Sequence, residues 1–371
     1  MAGSWLVTGG AGFIGANFVH TLRSARPGDR VVVLDALTYA GHRGSLPPDD
    51  AAGLLRFVHG DICNAELVAT LLREHAIDTI VHFAAESHVD RSVKEPGAFV
   101  QTNVVGTYTL LEAARRQWLG GAEAAAGGAP RRFHHVSTDE VYGSLGAEDP
   151  PFHEATAYAP NSPYAASKAA ADHLVRAYHR TYGLPLTISN CSNNYGPYQF
   201  PEKLLPLVIV HALQGKPIPL YGDGRNVRDW MHVEDHVQGI LAVIARGRVG
   251  ESYNLGGNSE RTNVELVTAL CALIDARFAA DPALAARFPQ APPARGASCA
   301  SLIVRVQDRP GHDRRYAIDA SKAARELGVE PQWSLERGLA ATLDWYLDHE
   351  PWWRSVMDAS YRDWIQQQYR L

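Results

Sequence analysis

A chain of 371 residues can bury a large core and has room for two structural lobes. Its composition, 46% hydrophobic and 20% charged, is that of an ordinary globular protein, and a formal net charge of −5 excludes a sequence-independent grip on nucleic acid. No apolar run approaches the roughly 20 residues needed to cross a bilayer. Met1 to Gly15 read as a strand and a turn rather than a leader. The four cysteines (Cys63, Cys191, Cys271, Cys299) lack the spacing of a disulfide framework or a zinc site. The expectation is therefore a cytoplasmic protein with no metal and no membrane or nucleic-acid partner.

Short β-branched runs alternate with helical patterns through the first half. Trp5–Thr8 predicts a strand, followed by glycines and a helix over Ala16–Ser24; Arg30–Leu34 and Leu55–Val58 predict the next two strands. A helix over Glu66–Glu74, a strand over Thr79–Phe83, a long helix over Ala98–Gln117 and a strand over Arg132–Ser137 follow. A helix over Ser167–Tyr182 and a strand over Leu186–Asn190 close this part. Such alternation predicts an α/β fold, a doubly wound parallel sheet of the Rossmann type with a smaller C-terminal α/β lobe. The expected division is a dinucleotide-binding domain over 1–195, with 227–256 returning to it, and a second lobe over 196–226 and 257–371. Two segments, Gly120–Pro130 and Asp281–Ala300, have weak periodicity and read as surface excursions.

Thr8-Gly-Gly-Ala-Gly-Phe-Ile-Gly15 places Gly9, Gly12 and Gly15 after the first strand and at the start of the first helix. Glycines there permit a tight turn and let a pyrophosphate approach the helix N-terminus. Asp35 ends the next strand, where a carboxylate accepts hydrogen bonds from a ribose 2′-hydroxyl and repels a 2′-phosphate, so NAD is favoured over NADP. Asp61, after the third strand, is placed to accept the adenine amino group.

Tyr164 and Lys168 stand four apart at the opening of a helix, hence on one face. A neighbouring ammonium favours the phenolate, so Tyr164 is a candidate base for a hydroxyl proton. His134 and His135 fall on a strand, where one of the two is expected to point inward, and His232 and His236 sit at helical spacing without a third ligand.

With the glycine turn and the Tyr–Lys pair, the chain resembles the extended short-chain dehydrogenase/reductase superfamily. Four further segments narrow the resemblance: Ala84-Ala-Glu-Ser-His-Val-Asp-Arg-Ser92, Ser137-Thr-Asp-Glu-Val-Tyr-Gly143, Asn190-Cys-Ser-Asn-Asn-Tyr-Gly-Pro197 and Asp308-Arg-Pro-Gly-His-Asp-Arg-Arg-Tyr316. Together they are similar to the dTDP-glucose 4,6-dehydratases, NAD-dependent lyases that convert dTDP-glucose to dTDP-4-keto-6-deoxyglucose.

The resemblance implies an oxidation at C4, loss of water across C5 and C6, and return of the stored hydride to C6. It assigns Glu140 as the C5 base and Asp139 as the acid for the C6 hydroxyl, a division that requires the two carboxyls to be tuned apart. Thr138 and Ser87 would bind near C4, beside Tyr164. Cofactor positions carried over are Gly9, Gly12, Phe13, Ile14, Gly15, Asp35, Leu37, Thr38, Asp61, Ile62, Ala84, Ala85, Ser87, Thr102, Tyr164, Lys168 and Asn190. Nucleotide diphosphate positions are Asn193, Lys203, Leu204, Arg228, Asn263, Arg309, His312 and Tyr369; guanidinium forks at Arg228 and Arg309 suit phosphate oxygens.

Ala36 stands where the family often has lysine, and His232 where tyrosine is frequent. The resemblance also implies a homodimer through the helices near Ala98–Gln117 and Ala165–Tyr182. The rivals are a UDP-glucose 4-epimerase or UDP-glucuronate decarboxylase, which lack the Asp–Glu pair, and a non-catalytic NAD-binding protein, which would not need the Tyr–Lys pair.

Overall fold

Seven strands line up in parallel in the computed structural model, which describes residues 2–50, 52–120 and 130–369. They are β1 (Ser4–Thr8), β2 (Arg30–Asp35), β3 (Leu55–His59), β4 (Thr79–His82), β5 (Arg132–Thr138), β6 (Leu186–Cys191) and, from late in the chain, β10 (Ser252–Leu255). Their order is β10-β6-β5-β4-β1-β2-β3, so the chain reverses direction across the sheet between β1 and β4. That reversal opens a crevice at the C-terminal ends of the strands. Two small sheets lie outside it: β7 (Asn193–Tyr195), β9 (Val227–His232) and β11 (Glu260–Thr262) form one, and β8 (Ile218–Tyr221) pairs with β12 (Ile303–Val306) in the other.

Helices α1 (Phe13–Ala25), α2 (Ala65–Glu74), α3 (Val89–Lys94), α4 (Pro96–Phe99), α5 (Thr107–Leu119) and α6 (Pro163–Tyr182) follow the early strands. The later ones are α7 (Leu204–Gln214), α8 (Val233–Arg246), α9 (Asn263–Ala280), α10 (Ala283–Arg287), α11 (Ser321–Leu327), α12 (Leu335–Asp348), α13 (Glu350–Val356) and α14 (Ala359–Tyr369). No described helix is long and apolar enough to cross a membrane.

Val31, Val32, Val33 and Leu34 of β2 are all fully buried, because helices cover both faces of the sheet. One face packs with α1 and α8 through Phe18, Val19, Val237 and Ile240; the other packs with α2, α5 and α6 through Leu72, Leu111 and Val175. A separate apolar core joins α7, α9, α12 and α13 around Tyr346 and Trp353. The local signals are ordinary ones. Ser162 caps α6 by accepting from the Ala165 N–H, Pro163 opens the helix, and Gly183 at φ 73° ends it.

Three expectations need correction. His134 and His135 are both fully buried, since a central strand of a two-sided sheet has no solvent face. The long helix expected over Ala98–Gln117 is interrupted by a widened π-helical turn, Val100–Gly106. The segment expected as a loose excursion over Asp281–Ala300 is held to the second core: Leu284, Phe288, Ala291 and Cys299 are buried, and the Asp275 carboxylate accepts from Ser298 Oγ and the Cys299 N–H. The other expected excursion, Gly120–Pro130, lies almost wholly outside the described residues.

Phe288→Ala is expected to destabilise the protein by about 3–5 kcal/mol in equilibrium denaturation, the usual cost of emptying a buried aromatic site; an unchanged midpoint would mean the segment is not part of the core.

Candidate active site

The turn after β1 forms one wall of a cleft of about 330 Å³ at the C-terminal edge of the large sheet. Gly9 sits at φ +69°, and a Cβ there would lie 2.5 Å from the Ala84 amide nitrogen; one on Gly15 would lie 2.3 Å from the Gly9 carbonyl oxygen. Neither position tolerates a side chain. At Gly12 the nearest atom to such a Cβ is that same carbonyl oxygen, at 3.3 Å, so the backbone there is open to the cleft beside the first turn of α1. N–H groups of that turn have no partner within the helix and suit a pyrophosphate.

Asp35 Oδ2 accepts from the Ala11 N–H and Oδ1 from the Leu37 N–H, each at 2.8 Å, which aims the carboxylate into the cleft. Burial raises its pKa, and these two bonds oppose the rise. Open glycine backbone, a helix N-terminus and an aimed acid fit a dinucleotide with a free 2′-hydroxyl.

The opposite wall is built by β5, β6 and α6. Strand β5 ends at Thr138, whose Oγ1 accepts from the Glu140 N–H at 3.3 Å and starts the short turn carrying Asp139 and Glu140. Helix α6 brings Tyr164 and Lys168 to the same wall, and Lys168 Nζ donates to the Val136 carbonyl at 2.9 Å. Burial, then Glu140, pushes the Tyr164 phenol well above its usual range, with only a hydrogen bond to Thr138 among its main influences acting downward. The ammonium effect expected from the Tyr–Lys spacing is thus outweighed within the protein. Tyr164 rests as a neutral phenol, and ionising it requires added positive charge in the cleft.

Asp139 and Glu140 differ sharply. Asp139 is 2% exposed, and its Oδ2 has no hydrogen-bond partner among the described residues. Burial, Glu140 and Asp229 drive its carboxyl well above the carboxylate range, against weaker help from Arg228. Glu140 is half-buried and also raised by burial, but Arg309, Arg228 and Lys203 all oppose that rise. One carboxyl is pushed strongly toward its protonated form while its neighbour faces three cations.

The cleft gathers most of the expected residues: Gly9, Gly12, Phe13, Ile14, Gly15, Asp35, Thr38, Asp61, Ile62, Ala84, Ala85, Ser87, Thr102, Thr138, Asp139, Glu140, Tyr164, Lys168, Asn193 and Lys203. Leu37 and Asn190 stand just behind its wall. Asn190 is fully buried and donates to the Thr138 carbonyl at 3.2 Å. Arg228, Arg309 and His312 lie beyond the cleft wall yet act electrostatically on one another, and both arginines act on Glu140. Tyr369 packs against Tyr221, with ring centroids 5.6 Å apart, and Tyr221 in turn meets the His312 ring. Leu204 and Asn263 begin α7 and α9; the Asn263 N–H donates to the Asn226 carbonyl. Leu204 follows Lys203 of the cleft wall and packs against the apolar core that contains Phe200, another cleft residue.

The family described as GDP-mannose 4,6 dehydratase matches residues 6–342 of this chain. A dTDP-glucose 4,6-dehydratase of Xanthomonas campestris is 57% identical over 97% of both chains. The chain belongs to the dTDP-glucose 4,6-dehydratase family. A dehydratase of this name from Streptomyces venezuelae, solved with NAD and TYD bound, is 49% identical and superposes with a TM-score of 0.82 over 95% of this chain and 99% of its own. Another from Bacillus anthracis, in complex with NAD, is 44% identical with a TM-score of 0.81 over 96% and 100%.

Against this dehydratase frame, sequence reasoning missed one residue of the cleft wall, Glu202, and one that supports it from behind, Asn103. Asn103 sits in the widened turn and clamps Glu86, with its Oδ1 accepting from the Glu86 N–H and its Nδ2 donating to the Glu86 carbonyl and to Ser167 Oγ. Glu202 is a fully buried carboxylate on the cleft wall, raised to about 7 by burial despite Arg91 at 3.3 Å and Lys203. The acidic–basic pair Glu202-Lys203 just before an apolar helix was the only signal for it.

Replacing Asp35 with Asn should weaken NAD binding at least tenfold, about 1.4 kcal/mol, and narrow the preference against NADP, as read by cofactor titration calorimetry. Unaltered NAD affinity and selectivity would remove Asp35 from the ribose site.

Proposed function

We propose that this chain dehydrates dTDP-glucose to dTDP-4-keto-6-deoxyglucose with NAD as cofactor. The observation that carries the reading is the asymmetric acid pair on the same cleft wall as Tyr164 and Lys168. When bound, NAD supplies the two-electron exchange, accepting hydride from C4 and giving it back at C6.

The protein's own groups handle the protons. Tyr164 Oη, ionised where the positive charge of an oxidised nicotinamide would enter the cleft, takes the proton of the C4 hydroxyl, with Thr138 Oγ1 orienting the ring and Ser87 beside it. The resulting ketone acidifies C5, and the Glu140 carboxylate removes that proton. Asp139, held protonated, gives its proton to the C6 oxygen, which leaves as water. Glu140, its proton exchanged with solvent, protonates C5 as C6 is reduced, and further exchange with solvent resets Tyr164 and Asp139. Arg228, Arg309, His312, Asn193 and Lys203, with Leu204, Asn263 and Tyr369, hold the nucleotide diphosphate of the substrate. Oxidation without this pair would suffice for an epimerase, so the buried protonated acid next to a cation-facing one favours elimination.

The protein acts as a homodimer in this reading. Val100, Tyr108 and Tyr182, on the turn before α5, on α5 and on α6, are 53%, 48% and 49% exposed, large apolar side chains on and beside two packed helices of the kind that a second copy covers. The dinucleotide-binding domain and second lobe follow the division set out above. Four free thiols suit the reducing cytoplasm.

Incubation with dTDP-glucose in deuterated water should yield the 4-keto-6-deoxy product labelled at C5; an unlabelled galactose-configured sugar would contradict the assignment. Glu140→Gln should cut turnover by about a hundredfold or more while still producing reduced cofactor in a single turnover, whereas Tyr164→Phe should abolish both. Light scattering should give twice the 40.5 kDa chain mass, and Tyr108→Asp should shift it toward the monomer.

A further inference from the structure

Tyr164, Lys168 and Asp172 follow one another at four-residue spacing on α6, so the helix presents all three on one face toward the ends of β5 and β6. Asp172 is fully buried, and a lone carboxylate in such a place is costly. Here it is surrounded by donors. Its Oδ2 accepts from Ser137 Oγ and Tyr158 Oη, both at 2.8 Å, with Asn190 Nδ2 at 3.4 Å. Its Oδ1 lies 3.1 Å from His135 Nε2, a close contact away from the ideal hydrogen-bond direction. Despite burial its pKa is lowered, through His135, Lys168 and Tyr158.

We infer that Asp172 is a positioning residue for the C4 oxidation: its buried carboxylate, one turn along α6, holds the charge of Lys168, whose ammonium is directed by the Val136 carbonyl, on the wall that carries Tyr164. This rests on the dehydratase reading given above.

Burial alone drives the Lys168 ammonium toward its neutral form, and Asp172 is the foremost group opposing that; Cys191 adds to it. His135, the other cation candidate against Asp172, is itself lowered to about 4 and so stays neutral over the working range. The Asp172 charge is therefore left for Lys168. Other charged or titratable neighbours include Tyr158, Tyr142, His82 and Arg176; His82, its ring 5.2 Å from that of His135, is kept neutral by burial, and Arg176 donates to Tyr158 Oη at 2.8 Å and so supports the donor rather than meeting the carboxylate. The same carboxylate ties Ser137 to Asn190, residues paired across β5 and β6, and Asn190 grips the Thr138 carbonyl. One buried charge on α6, the helix that carries the Tyr–Lys pair, thus orders the end of β5 that leads into the acid pair.

Asp172 stands two turns from Tyr164 along α6 with Lys168 between them, one turn from each, so its influence on the phenol is relayed along that face. In Asp172→Asn the lysine loses its counter-charge and deprotonates at lower pH. Tyr164 then ionises less readily, and oxidation requires a higher pH.

The test is single-turnover formation of reduced nicotinamide by the NAD-loaded protein with dTDP-glucose, followed across pH, together with steady-state kinetics. Asp172→Asn should lower the oxidation rate at neutral pH by about tenfold and move the acidic limb of the profile up by about one unit, with KM little changed. Asp172→Glu should recover part of the rate. Tyr158→Phe, which deletes one hydrogen bond but keeps the charge, should retain the wild-type profile. A wild-type pH profile in Asp172→Asn, or the same shift in Tyr158→Phe, would overturn the inference while the wild type still turns over. A wild type that makes no 4-keto-6-deoxy sugar would instead overturn the dehydratase reading itself.

Discussion

Two carboxyl groups on adjacent residues must hold opposite protonation states at one pH, and the rest of the site follows from that constraint. In water their pKa values would lie within about half a unit of each other. Asp139 is separated from Glu140 by what each faces. Asp139 points into protein, toward Asp229 and with an unpartnered oxygen, while Glu140 faces Arg309, Arg228 and Lys203. Desolvation raises both, and the cations oppose that rise more strongly at Glu140 than at Asp139. Environment, rather than residue type, divides acid from base.

The fold produces this asymmetry by bringing together distant parts of the chain. A parallel strand delivers the acid pair at its C-terminal end, where a doubly wound sheet leaves a crevice. The compensating cations come from the second half: Lys203 just before α7, Arg228 on β9 and Arg309 after β12. Arg228 is itself buried, held by the Val227 and Asp313 carbonyls and stacked 4.2 Å over the Tyr316 ring. A cation fixed in this way acts on Glu140 with little screening by solvent. The glycine turn and Asp35 occupy the other half of the same crevice, so redox and acid–base groups share one space of about 330 Å³.

What was legible in the sequence was what local pattern encodes. The glycine turn, the β-branched runs, Asp35 at a strand end and the Tyr164–Lys168 spacing each depend on a few neighbouring residues, and the structure places them as those patterns require. The burial of both His134 and His135 was not legible, because covering of the second sheet face is a tertiary event. Nor was the anchoring of 281–300, where Phe288 and Cys299 find a core made by α9, α13 and their neighbours. The widened turn before α5 hides in a sequence that reads as plain helix; Asn103 and Gly106 have their roles only through Glu86, Ser167 and Ile62. The tuning of Asp139 and Glu140 was out of reach for the same reason, as it depends on arginines up to about 170 positions away.

The central claim is that Asp139 is a neutral acid beside an ionised Glu140, and infrared difference spectroscopy on the NAD-loaded protein tests it most directly. Comparing wild type with Asp139→Asn at neutral pH should show a protonated carboxyl C=O stretch that the variant lacks, with a Glu140→Gln comparison removing only a carboxylate band. A wild type without a protonated-carboxyl band, or one whose band disappears in Glu140→Gln and survives in Asp139→Asn, would contradict the account.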